Sequence, residues 1–155
     1  MRKFEEVKQE FIKFPNVQTR MPERGDSMSA GYDFCSKEDY TMEPGESHLF
    51  WTDVCAKMFF DNVLQIYPRS GLGCKNGLIL KNSVGIIDAS YYGNAKNGGN
   101  IGICLINTGS EAYTIHIGDR IAQGIFGRYL ITDDDKFMNT KQESSRAGGF
   151  GSTGQ

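Results

Sequence analysis

The chain has 155 residues, 39% of them hydrophobic, with a formal net charge of −2. That is one domain of ordinary size, long enough to bury a proper core without staples. The charge balance excludes a nucleic-acid-coating or membrane-surface protein, and no run of about 18 apolar residues is present to span a bilayer.

The 19 glycines exceed the ~7% of average usage. With no long helical periodicity beside them, they point to a loop-rich β protein. Met1 to Glu6 lacks the apolar middle of a signal peptide. Cys35, Cys55, Cys74 and Cys104 show no C-x-x-C spacing. They read as reduced, mostly buried thiols of a cytoplasmic protein, not as zinc ligands or a disulfide frame. His48 and His116 have no metal-ligand companion at a useful spacing.

In chain order, residues 2–14 fit either a helix stripe or an edge strand over Phe11 to Phe14, and Pro15 favours the strand. Arg20 to Ser29 is loop-like. It leads to Ala30-Gly31-Tyr32-Asp33-Phe34, where Asp33 either closes a tight turn on nearby amides or serves a site. Glu43 to Glu46 is a turn. Alternating segments around His48–Trp51, Cys55–Phe59 and Asn62–Tyr67 follow at the spacing of a sandwich or barrel.

Pro68-Arg69-Ser70-Gly71-Leu72-Gly73 then offers Ser70 and free amides near Gly71 as an anion nest, with Arg69 adding charge, or simply turns the chain. Short apolar runs at Gly77–Leu80 and Val84–Ile87 flank Asn82. Its amide either caps a turn or matches the donor and acceptor edge of a pyrimidine. The second run ends on a single carboxylate, Asp88, followed by Tyr91 and Gly93. A carboxylate at the rim of a buried strand starts a turn or acts as a general base, because burial and a rigid backbone set its pKa and its aim.

Asn94–Asn100 reads as a polar hairpin tip between Val84–Ile87 and the strand Ile101–Ile106. A further strand, Ala112–Ile117, carries His116 as an ordinary sheet histidine. Gly118-Asp119-Arg120-Ile121-Ala122-Gln123 turns into a last strand running to Ile131, with Gln123 binding phosphate or satisfying backbone groups. Asp133-Asp134-Asp135 is a solvated loop. The tail Arg146-Ala147-Gly148-Gly149-Phe150-Gly151-Ser152-Thr153-Gly154 is either a disordered end or a lid. In a lid, Arg146 chelates phosphate, Phe150 stacks on a base, and Ser152 and Thr153 donate hydrogen bonds.

In order and spacing, five of these stretches resemble the motifs of the trimeric dUTP pyrophosphatases (dUTPases). They are Ala30 to Asp33, Pro68 to Leu72, Gly85 to Asp88 with Tyr91 and Gly93, Gly118 to Gln123, and Gly148 to Gly154. The resemblance implies an all-β, jelly-roll or β-barrel-like subunit over residues 1–132, with an arm and Gly-rich lid over 133–155. It also implies a homotrimer with three interface sites. Each would take the Asp88 stretch from one chain, the Asp33, Ser70 and Gln123 stretches from a second and the tail from a third.

The implied reaction is hydrolysis of dUTP to dUMP and pyrophosphate. Asp88 would deprotonate the attacking water. Arg69, Ser70, the Gly71 amide and Gln123 would bind phosphate, with Arg146, Gly151, Ser152 and Thr153 closing over it. Tyr91 would pack under the deoxyribose, and uracil would lie near Asn82 and Gly85 beneath Phe150. Mg²⁺ would be held by the triphosphate and waters, with Asp33 touching it through water at most. The location would be the cytoplasm, or the host's if the chain is viral.

Two departures from the family pattern stand out. The tail has one residue fewer than usual between Arg146 and Phe150, and after Gly93 an acidic residue and strand are replaced by Asn94 and the loop 95–100. Two alternatives differ in chemistry. A dCTP deaminase of the same fold would need a glutamate at the base. A non-catalytic dUTP-sensing module would bind without turnover.

Overall fold

The computed structural model describes residues 1–135. Their strands are β1 (Lys3–Glu6), β2 (Glu23–Arg24), β3 (Tyr32–Cys35), β4 (Tyr40–Met42), β5 (Ser47–Trp51), β6 (Val54–Lys57), β7 (Asn62–Tyr67), β8 (Leu78–Leu80), β9 (Gly85–Asp88), β10 (Gly102–Asn107), β11 (Tyr113–Ile115) and β12 (Arg120–Arg128). Only three short helical turns interrupt them, at Gln9–Phe11, Gly71–Lys75 and Ala89–Tyr91. The architecture is all-β and jelly-roll-like.

One sheet has the order β2-β3-β12-β7-β9 and a second β5-β10-β8, with two-stranded ribbons β1-β6 and β11-β4 completing the wrap. Every pairing is antiparallel. Side chains alternate between faces along a strand, and β10 shows the result. Ile103, Leu105 and Asn107 are buried while Gly102, Cys104 and Ile106 are half-exposed. Ile103 and Leu105 meet Phe34, Leu64, Ile66, Ile115 and Ile121 in one core. Each fully buried Leu or Ile there contributes about 1.5–3 kcal/mol relative to exposure. Gly124 is required in mid-strand, since a Cβ on it would fall 2.8 Å from the Phe34 ring and 3.0 Å from Leu64 Cδ1.

Several expectations need correction. The N-terminal strand is Lys3–Glu6, not Phe11–Phe14. Phe4 anchors it against Tyr32, Phe34 and Phe126 at centroid distances of 5.3, 5.5 and 5.3 Å, whereas the Lys13 and Phe14 amides bond to Asp53 instead of a strand partner. Tyr32–Cys35 is a strand, so Asp33 closes no turn. The 94–100 segment is not a hairpin tip: β9 and β10 lie in different sheets, and Asn94 and Asn100 are buried.

His116 lies just beyond β11 and is exposed, near Asp119. The last strand stops at Arg128, short of Ile131. Cys35 and Cys55 are buried, but Cys104 is half-buried and Cys74 exposed.

Candidate functional site

β9 hydrogen-bonds along β7 with Asp88 opposite Val63 and Gly85 opposite Ile66. Gly85 allows that approach, because a Cβ on it would meet Ile66 Cβ at 3.1 Å. Asp88 ends the strand in extended conformation, at the N-cap position of the turn Ala89–Tyr91. The turn then carries Tyr91 back over the strand end.

Asp88, Tyr91, Asn82, Gly85, Ile87 and Leu80 line a cavity of about 100 Å³. That is small beside the roughly 300–1,000 Å³ of drug-sized pockets, and it suits a single flat ring. Asn82 reaches the cavity from a strained turn. Ser83 sits at φ 64, and Val84 N donates to Asn82 O at 2.7 Å. A non-glycine residue there costs on the order of 1–3 kcal/mol and persists only where its surroundings enforce it.

A second polar cluster lies at the other end of the same sheet. Asp33 on β3 is opposite Gln123 on β12, which is opposite Tyr67 on β7. Arg69 Nε donates to Asp33 Oδ1 at 2.9 Å and Arg120 donates to Oδ2 at 3.3 Å. Two guanidiniums therefore face one carboxylate and keep donors to spare. Gln123 Nε2 donates to Pro68 O at 3.1 Å, which tethers it to the chain leading to Ser70. Gly31 makes room for it, since a Cβ there would fall 2.4 Å from Gln123 Oε1.

Ser70 and Gly71 do not form the open nest expected. Ser70 is already helical, and Gly71–Lys75 is a π-helical turn, with Gly73 N donating to Arg69 O at 2.9 Å. First-turn amides of any helix lack an intrahelical acceptor, so the donor character survives in a different backbone.

Residues 18–154 match the family model described as dUTPase. The deoxyuridine 5'-triphosphate nucleotidohydrolase of Lactococcus lactis is 39% identical over 142 residues, covering 92% of this chain and 93% of that one. The chain belongs to the dUTPase family. A cowpox virus protein of the same name is 38% identical over 144 residues, covering 93% of this chain and 91% of its own. The dUTPase of Streptococcus mutans has a crystal structure similar to this fold, with TM-score 0.74 and 33% identity, covering 84% of this chain and 98% of that one.

Set in the dUTPase family, the two clusters have supports that motif spacing does not reveal. Arg120 lies inside the Gly118–Gln123 motif, yet nothing in its spacing marks it as a partner of Asp33. Tyr92, next to Tyr91, donates to Glu5 Oε2 at 2.5 Å and so ties the turn to β1. That hydrogen bond to a carboxylate pushes the Tyr92 hydroxyl up to about 12.

Asp53, Asn97 and Asn100 form a third network behind Tyr91, and no local pattern announced it. Among the described residues no three His, Cys, Asp or Glu side chains gather to hold a metal ion, and no helix is long and apolar enough to cross a membrane. Arg146, Phe150, Gly151, Ser152 and Thr153 lie outside the described residues.

Proposed function

We propose that the protein hydrolyses dUTP to dUMP and pyrophosphate, limiting uracil in DNA and supplying dUMP for thymidylate synthesis. The observation that carries this reading is the pairing of Asp88 with Tyr91 at the lip of a ring-sized cavity. The cavity takes uracil, with Asn82 and strand backbone at its polar edge. Tyr91 walls the deoxyribose and leaves no space for a 2′-hydroxyl. Asp88 takes a proton from the water that attacks the α-phosphorus, a contribution of about 10²–10⁴ in rate. No glutamate lines the cavity among the described residues, which favours hydrolysis over deamination at the base.

The phosphates go to Arg69, Ser70, the Gly71 amide and Gln123, with Arg146, Gly151, Ser152 and Thr153 closing the site and Phe150 covering the base. Within one chain this arrangement is incomplete. Asp88 and Asp33 are separated by three strand spacings and, along β7, by the distance from Val63 to Tyr67, roughly 20 Å in all.

A base and the groups that hold its substrate must lie within hydrogen-bond reach of one phosphate chain. That separation supports a homotrimer in which one chain's Asp88 cavity meets another's Asp33 cluster. Exposed Phe60 and Leu130, at 85% and 97% of full accessibility, supply apolar surface for such an assembly. Asp33 commits its carboxylate to two arginines, which fits an outer-sphere role toward Mg²⁺ carried by the triphosphate. When bound there, the ion gathers phosphate oxygens and neutralises the departing pyrophosphate. The free cysteines fit a reducing cytoplasm, the host's if the chain is viral.

The test is pyrophosphate release from dUTP, UTP, dCTP and dTTP, with and without Mg²⁺. Wild-type protein should act on dUTP alone. Asp88→Asn should stay folded and bind nucleotide while kcat falls by at least ~10². Unchanged turnover in that variant removes Asp88 from the reaction.

A further inference from the structure

Tyr91 is buried, and its hydroxyl is held from two sides by the loop behind it. Tyr91 Oη donates to Asn100 O at 2.9 Å and accepts from Asn97 Nδ2 at 2.8 Å. Asn97 is itself fixed, its Oδ1 accepting from Asn94 Nδ2 at 2.7 Å and from Gly99 N at 3.1 Å.

Asn100 is clamped by Asp53. Asn100 Nδ2 donates to Asp53 Oδ1 at 2.9 Å, and Asp53 N donates to Asn100 Oδ1 at 3.0 Å. The loop is pressed in place from outside as well. A Cβ on Gly98 would fall 2.4 Å from the Phe11 ring, and one on Gly99 would fall 2.8 Å from Tyr91 O.

We propose that Asn97 is a positioning residue for sugar specificity, holding the Tyr91 phenol at a fixed depth so that ribose is refused. The inference rests on the dUTP-hydrolysis reading. Its physical basis is that a merely apolar wall rejects an analogue carrying one added hydroxyl only weakly, on the order of 10²-fold. Steric refusal of a 2′-hydroxyl therefore depends on a wall that does not yield. A phenol ring can tilt about its side-chain torsions unless its far end is pinned, and the Asn97 amide together with the Asn100 carbonyl pins it. The longer loop after Gly93 supplies both partners from behind the site, which gives its extra length a role.

The experiment compares wild type, Asn97→Ala, Tyr91→Phe and the double variant by kcat/KM on dUTP and on UTP. Asn97→Ala should lower the dUTP-to-UTP preference roughly three- to tenfold, the worth of one hydrogen bond, mainly by raising kcat/KM for UTP. In the Tyr91→Phe background the same substitution should lower it no further, because the hydroxyl is already gone.

Equal changes on both substrates, or the same drop in both backgrounds, overturn the proposal. If Asn97→Ala does not fold, Tyr91→Phe decides: a fallen preference supports the pinning and an unchanged one overturns it. The two failures are distinguishable. Wild-type protein that releases no pyrophosphate from dUTP removes the functional reading, whereas normal wild-type hydrolysis with an unmoved preference removes only this one.

Discussion

Asp53 and Asp33 each pair with basic side chains, one lysine at Asp53 and two arginines at Asp33, and they do so for opposite ends. Asp53 is fully buried at φ 56, with Lys37 beside it only 4% exposed. Its Oδ1 accepts from Lys13 N at 2.8 Å and Asn100 Nδ2 at 2.9 Å. Its Oδ2 accepts from Phe14 N at 3.1 Å and Lys37 Nζ at 2.7 Å. Lys37 Nζ also donates to Thr19 Oγ1 at 2.7 Å. Asp33 is 15% exposed, and its arginine partners are 29% and 51% exposed, with guanidinium donors left over. Saturated and dry, an ion pair fixes the N-terminal arm and the 94–100 loop. Half-open, the Asp33 pairing leaves guanidinium donors at the surface.

The sharpest way to break this comparison is to remove one charge at the dry end. Asp53→Asn keeps a residue that tolerates a left-handed backbone, so the effect isolates the carboxylate. Lys37 would then give up its proton or remain uncompensated, and unfolding free energy should fall by about 3–5 kcal/mol, measured by denaturant titration. A loss below about 1 kcal/mol would put Asp53 in the same class as an exposed pair.

Acid should erase much of that difference. Burial pushes the Asp53 carboxyl up, but the Lys37 ammonium and the Lys13 and Phe14 amides more than reverse this, leaving it below its ordinary 3.8. A depressed carboxylate gives its full stabilisation above the unfolded value and loses it as pH falls through the folded one. The gap between wild type and Asp53→Asn should therefore hold at neutral pH and narrow as pH drops below 3.8. A gap constant down to acid unfolding would show that the carboxylate charge is not what stabilises the arm.

At the open end the tightest constraint is steric. Gly31→Ala places a methyl 2.4 Å from Gln123 Oε1, which forces Gln123 away from Pro68. Overpacking of this kind costs about 1–3 kcal/mol, and kcat/KM for dUTP should fall with it. An unaltered kcat/KM would separate Gln123 from the phosphate cluster.

The contrast also explains what was legible in the sequence. β7 and β10 follow from apolar alternation, a local property, and the motif residues announce themselves by local spacing. Asp53 did not, because its partners Lys37, Lys13 and Asn100 lie 16, 40 and 47 residues away, and a lone aspartate between Thr52 and Val54 carries no periodic signal. The 94–100 loop misled for a related reason. A run of asparagines and glycines reads as solvated, yet these asparagines bond one another, the backbone and Asp53, which is what lets Asn94 and Asn100 be buried. Nor could spacing reveal that Asp88 and Asp33 fall at opposite ends of one sheet, since that depends on the order β3-β12-β7-β9.

The smallest expected change in stability is the most informative about the open end. Asp33→Asn leaves two partly exposed arginines without their carboxylate. Exposed pairs are worth about 0–1 kcal/mol, so unfolding free energy should move by less than that. Catalysis should respond more, because Arg69 and Arg120 lose the group that aims them, and misplacement of a positioned charge by about 1 Å can cost up to 10² in rate. We expect kcat/KM for dUTP to fall about tenfold, a transition-state loss near 1.4 kcal/mol. If Asp33→Asn instead destabilised the fold by several kcal/mol and left kcat/KM intact, Asp33 would be a second Asp53, and the phosphates would have to be held elsewhere.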